Sequence, residues 1–138
     1  MYRISIPALI IAFFAEFAAD VVIQHTLLLV LAGSALNSDM TPDDFRKAAE
    51  IVIATPAFVI GGILFGTATT FGGGYLAARI ARSFPYYQGL AMGLLGIAYI
   101  LYFWQAGAVW LNLLGILTNI PVSIWGAHFA KRHMPAPE

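Results

Sequence analysis

Glu16 and Asp20 fall four residues apart inside an apolar run long enough to be buried in lipid, and Gln24 continues the spacing with His25 beside it. In a helix that spacing stacks Glu16, Asp20 and Gln24 on one face. A carboxylate near the middle of a membrane span costs roughly 2.5–3.5 kcal/mol on insertion scales, so protein, water or an ion must compensate it. The chemistry open to two such acids one turn apart is narrow: they are held neutral, or they share a proton or a bound cation. Proton-coupled transport requires that condition. Two protonated acids that merely hydrogen-bond across helices require it too, and the residue types leave both readings open.

Partners for this face can be sought by depth. At about 1.5 Å of rise per residue, Glu16, Thr70 and Asn119 all lie about 18 Å from the inner ends of their helices, and Asp20 approaches the level of Thr67 and Tyr99. Glu16, Asp20, Gln24, Thr70 and Asn119 are therefore the candidate residues for binding a proton, cation or substrate. Asn112, Asn119 and Ser123 share one side of the last apolar segment, where Pro121 should free the carbonyl of Leu117. Arg79, Arg82 and Lys131 lie near the inner surface and can snorkel to water, so direct ion pairs with Asp20 are not expected.

Other chemistries find little support. His25 lies near the outer side, about 25 Å or more from His128 and His133, so the histidines cannot share one metal within a subunit. His128 and His133 read as interfacial companions of the terminal basic cluster. No serine, histidine and acid constellation and no metal-ligand spacing is present, so no enzyme, metal or cofactor is expected. Gly72-Gly73-Gly74 has the look of a phosphate loop but lies within an apolar segment and lacks the Gly-Lys-Ser/Thr ending. Cysteine is absent, which removes disulfides and thiolate chemistry.

The elements that position these residues follow from composition. The chain has 138 residues, 60% of them hydrophobic and only 10% charged, with a mean hydropathy of +0.81; ordinary soluble domains are about a quarter charged. Lys plus Arg and Asp plus Glu number seven each, so net charge gives no argument for nucleic acid. A bilayer core of about 30 Å needs roughly 20 apolar residues in a helix. Four segments approach that length, near 5–33, 56–82, 86–104 and 108–130, which predicts an all-α integral membrane bundle and a single domain over 1–138. The first segment is too long for a signal h-region and is interrupted by Glu16 and Asp20, which argues against a cleaved leader.

The connection over about 34–55 holds the polar stretch from Asn37 to Lys47. Thr41, Pro42 and Asp44 have the spacing of a helix start, and Phe45, Ala48, Ala49 and Val52 share one face. A short amphipathic helix along the membrane surface fits, as does a plain extramembrane connector. Arg3, Arg79, Arg82, Lys131 and Arg132 flank one side of the spans, and only Arg46 and Lys47 the other, which places both termini in the cytoplasm. Phe84, Tyr86 and Tyr87 mark the inner border; Tyr102, Phe103, Trp104 and Trp110 mark the outer one. The Gln105-Ala-Gly107 link makes the last two spans an antiparallel hairpin.

Lipid is as apolar as leucine, so helices in it associate through close packing of small residues. Gly62, Gly66, Thr70, Gly74 and Ala78 recur every four residues in the second span and read as a packing seam, within the chain or between copies. Gly89, Gly93 and Gly96 form a shorter row in the third span, and Gly115 and Gly126 lie in the fourth. One internal echo stands out: Gly74-Tyr-Leu-Ala-Ala-Arg-Ile-Ala-Arg82 returns 49 residues later as Ser123-Ile-Trp-Gly-Ala-His-Phe-Ala-Lys131. It suits a parallel repeat of two hairpins, although the positive-inside pattern alone can also produce it.

The run Gly73-Gly74-Tyr-Leu-Ala77-Ala-Arg79 resembles the Gly-Gly-x-x-Ala-x-Arg pattern that ends the second span of small bacterial four-helix membrane proteins of unassigned function. That resemblance implies a four-span fold in a bacterial inner membrane and attaches no chemistry. Glu16, within Ala15-Glu16-Phe17, is similar in position to the single membrane glutamate of small multidrug exporters, but the aromatic and glycine signature of their third span is missing. The expectation is a small transporter or channel subunit using embedded acids, in membrane lipid and as a homo-oligomer, because four short helices rarely enclose a pathway alone. The alternative is a non-catalytic accessory subunit of a larger membrane complex. No nucleic acid partner is expected.

Overall fold

The computed structural model describes residues 4–33, 39–104 and 109–134, and these form five helices with no strand among the described residues. They are α1 (Ile6–Ala32), α2 (Pro42–Ile53), α3 (Pro56–Ala81), α4 (Pro85–Tyr102) and α5 (Val109–Arg132). The boundaries follow those expected for four apolar segments and one short connector helix. Arg3, the start of the polar connection at Asn37 and the Gln105–Gly107 link lie outside the described residues.

The starts of α2, α3 and α4 have local causes. The Thr41 hydroxyl oxygen accepts the Asp44 amide at 3.3 Å and donates to Asp44 Oδ2 at 2.6 Å, with Pro42 in the first turn of α2. Thr55 closes α2 and opens α3: its hydroxyl donates to the Val52 carbonyl at 2.7 Å and accepts the Phe58 amide at 3.3 Å. Between α3 and α4 the chain reverses through Arg82 at φ 51° and Phe84 at φ 45°, after which Pro85 supplies the pre-set φ of a first helical residue. α5 runs unbroken through Pro121.

Three helices, α1, α3 and α5, are long and apolar enough to cross a membrane. α4 spans 18 residues, about 27 Å of helix, but opens with Pro85-Tyr86-Tyr87-Gln88, and this polar start dilutes its hydropathy. Side-chain size sorts inside from outside. Ala8, Ala12, Ala77, Ala78, Ala127 and Ala130 are fully buried, while Phe14 is 63%, Trp125 60% and Leu117 73% exposed. A water-soluble core inverts that pattern; helices packed through small residues in lipid produce it.

The helices divide into two compact units, Met1–Phe17 with Thr67–Glu138, and Ala18–Gly66. In the first unit α4 and α5 lie antiparallel along their lengths. Carbon added at Gly89 would meet Ser123 and Ala127, at Gly93 it would meet Ile120, at Gly96 Asn119, and at Gly115 Ile100. Asn112 Nδ2 donates to the Trp104 carbonyl at 3.1 Å and closes the far end. α3 and α5 also meet, Gly74 on the Ser123 backbone and Gly126 on the Phe71 carbonyl, with Ala78, Ala127 and Ala130 in one cluster. In the second unit α2 buries Ala49 and Val52, and Gly61 of α3 lies against the Leu27 side chain.

Candidate functional site

Glu16 turns into the first unit. Its carboxylate lies where a β-carbon of Gly73 would stand, and the Met92 Cε reaches within 3.1 Å of the same point. α1 reaches this position through Ala8 and Ala12, both fully buried, so two small residues and then the acid recur every four positions along one face. Ala12, Ala77 and Met92 pack together on one side of Glu16. On the other, Tyr99 meets Phe13 and Phe17 edge-on, with ring centroids 6.4 and 5.9 Å apart. The acid is half-buried where α1 meets α3 and α4, and at α3 only a glycine leaves it room.

Asp20 and Gln24 belong to the second unit and are paired there, the Gln24 amide hydrogen-bonding the Asp20 carboxylate. Gln24 also lies by Gly62, its Nε2 3.7 Å from where a β-carbon would stand, so the glycine expected at a packing seam borders the polar face of α1. His25 is occupied locally, Nδ1 lying 2.8 Å from the Val21 carbonyl one turn back. The residue opposite Glu16 is Gly73, one turn from the Thr70 that the depth count put at its level.

Asn119 sits on the α4 side of α5, where its amide covers Gly96 and would collide with a β-carbon there. Its Oδ1 is buried without a hydrogen-bond partner among the described residues. Ser123 is satisfied, its hydroxyl donating to the Gly89 carbonyl at 2.8 Å. Of the glycine row in α3, Gly74 and Ala78 lie in the α3–α5 seam, whereas at Gly66 an added β-carbon would find nothing within 4 Å.

At the other end of this unit the basic residues are tied to backbone and aromatic groups. The Arg79 guanidinium donates to the His133 carbonyl, just past the end of α5, where a cation also opposes the helix dipole. The Tyr86 hydroxyl lies 2.8 Å from His128 Nδ1, and Lys131 Nζ stands 5.1 Å over the Tyr86 ring. No group of three or more His, Asp or Glu side chains converges among the described residues.

The chain matches no family model, no curated protein and no solved structure.

Met92, which borders Glu16 at Gly73, and Gln88, one turn before it on α4, were not singled out by sequence reasoning. Gln88 is 0% exposed, and neither its Oε1 nor its Nε2 has a hydrogen-bond partner among the described residues. A buried amide left in that state costs about 1–3 kcal/mol per unpaired group. The signal was its position directly before Gly89: it adjoins the glycine row, and hence lies on the packed side of α4, even though the neighbouring tyrosines mark the membrane border.

Proposed function

We propose that this chain is a small proton- or cation-coupled membrane transporter or channel subunit that uses membrane-embedded acids, with Glu16 binding the coupled ion in the first unit and Asp20 and Gln24 a separate polar pair in the second. One observation carries the reading: the Glu16 carboxylate is directed at Gly73, inside a packed unit, rather than at the acyl chains. An acid held there can take up and release a proton or cation without exposing charge to hydrocarbon. The four-pass topology belongs to the same proposal. α4 pairs residue for residue with α5 from Gly89 at Ser123 to Ile100 at Gly115, so a membrane crossed by α5 would be crossed by α4 as well. Both termini then face the cytoplasm of a bacterial inner membrane, on the side rich in Arg and Lys.

The test is flux in reconstituted vesicles. Glu16→Gln keeps shape and hydrogen bonding but cannot ionise, and it is expected to reduce a proton-dependent flux at least tenfold while the helical content stays that of the parent chain. Flux equal to the parent's refutes the assignment.

A second reading is supported by Gly66, where α3 offers a backbone surface with open space beyond it. It makes the chain an accessory or oligomeric subunit docked through that surface. Gly66→Leu is then expected to dissociate the assembly on size exclusion in mild detergent, and an unchanged elution volume sinks it.

A further inference from the structure

We propose that Gln88 holds buried water that reaches Glu16 past the Met92 side chain, so that Glu16 exchanges protons with solvent at the Pro85 end of α4. This rests on the proposed function and narrows the coupled ion to a proton.

Gln88 and Met92 are four residues apart and share a face of α4. Met92 fixes what that face meets: it packs with Ala12 of α1 and Ala77 of α3, and its Cε shares the Gly73 surface with the Glu16 carboxylate. One turn back, about 6 Å towards Pro85, Gln88 is fully enclosed. The parallel step on α1 leads from Ala12 to Ala8, also fully buried. Neither atom of the Gln88 amide has a hydrogen-bond partner among the described residues, and the alanines at this level of α1 bring no side-chain donor or acceptor. A planar amide that can donate and accept at once is what a buried water needs, and water is what buried amides without protein partners hold. Between that site and Glu16 stands a thioether, unbranched and with three rotatable bonds, the apolar side chain that yields most readily.

The step balances simply. Water at Gln88 takes a proton from solvent, gives one to the Glu16 carboxylate, and is left as water beside a carboxylic acid; the reverse sequence returns the proton.

Because the chain contains no cysteine, single cysteines report water access directly. Gln88→Cys and, as a dry comparison, Ala78→Cys would be reconstituted in phosphatidylcholine and phosphatidylglycerol vesicles and treated with a small cationic methanethiosulfonate. Gln88→Cys is expected to react at least tenfold faster than Ala78→Cys; equal rates overturn the water site and leave the Glu16→Gln flux result standing. The unaltered chain gives a second measurement. With glutamine side chains labelled with nitrogen-15, the Gln88 NH2 should show magnetisation exchange with water, and its absence again overturns the site. Gln88→Met should lower Glu16-dependent proton flux at least tenfold, and full flux overturns the relay. A chain that passes both water tests but carries no Glu16-dependent flux overturns the transport reading and keeps the water site.

Discussion

At Gly73 an added methyl would land on the Glu16 carboxylate and against Met92, whereas at Gly72, one residue earlier, nothing lies within 4 Å. The two alanine variants therefore separate the needs of the helix from those of the acid. Gly72→Ala removes a flexible residue from a helix interior and should stabilise the chain by about 0.5–1 kcal/mol, leaving flux unchanged. Gly73→Ala gains the same propensity but overfills the seam, which typically costs 1–3 kcal/mol, and it displaces the carboxylate. Thermal unfolding in one detergent should place Gly72→Ala above the parent and Gly73→Ala below it, with flux lost only in the second. That Glu16 and Asp20 need shelter is written in their chemistry. Which neighbour shelters them is not: lipid and protein interior are equally apolar, so hydropathy does not say which face of α4 turns inward, and Gln88 and Met92 are hidden among residues that read alike.

Size carries the information that hydropathy lacks, and at the scale of elements it reads further. The echo of Gly74–Arg82 in Ser123–Lys131 is matched in space: Gly74 lies on Ser123, and Ala78 clusters with Ala127, each pair 49 positions apart. Small residues at equivalent places let two parallel helices touch where a pseudo-two-fold axis would pass. Gly126→Leu should therefore be among the most damaging changes in α5, because even its β-carbon would strike the Phe71 carbonyl, an immobile backbone group. Loss of several degrees in unfolding temperature is expected, and a neutral result would mean that the two helices can separate at no cost. The α3–α4 turn offers the opposite opportunity. Arg82 adopts φ 51° just past the end of α3, and its amide donates to the Ala78 carbonyl at 3.1 Å, a site that favours glycine. Arg82→Gly should stabilise by about 1 kcal/mol by relieving the left-handed backbone, measured by the same unfolding transition. The helix start at Thr41 and Pro42 was legible because capping is local, whereas the left-handed turn carries no glycine to announce it.

For the molecule as a whole, the number of crossings decides what the site can do, and it turns on α4. If α1, α3, α4 and α5 all cross, the α3–α4 turn and the end of α5 emerge together, opposite α2. If α4 stays on one surface, α5 must start on that side and finish on the other, so the end of α5 emerges with α2. Composition favours three crossings, because α4 is short and begins with a polar turn; packing favours four, because α4 follows α5 through Gly89, Gly93 and Gly96 with no room for the two to diverge. Packing should win, since pulling α4 out of that register would expose the Ser123 hydroxyl and the Asn119 amide to acyl chains, and unpaired polar groups there cost several kcal/mol each. Asp39→Cys, Ser83→Cys and His133→Cys in the cysteine-free chain make the test, with a membrane-impermeant maleimide applied to sealed, oriented vesicles. Four crossings require Ser83→Cys and His133→Cys to be labelled from the same side and Asp39→Cys from the other. If His133→Cys instead reacts from the side of Asp39→Cys, α4 does not cross, Glu16 loses its Met92 neighbour within the bilayer, and the route through Gln88 goes with it.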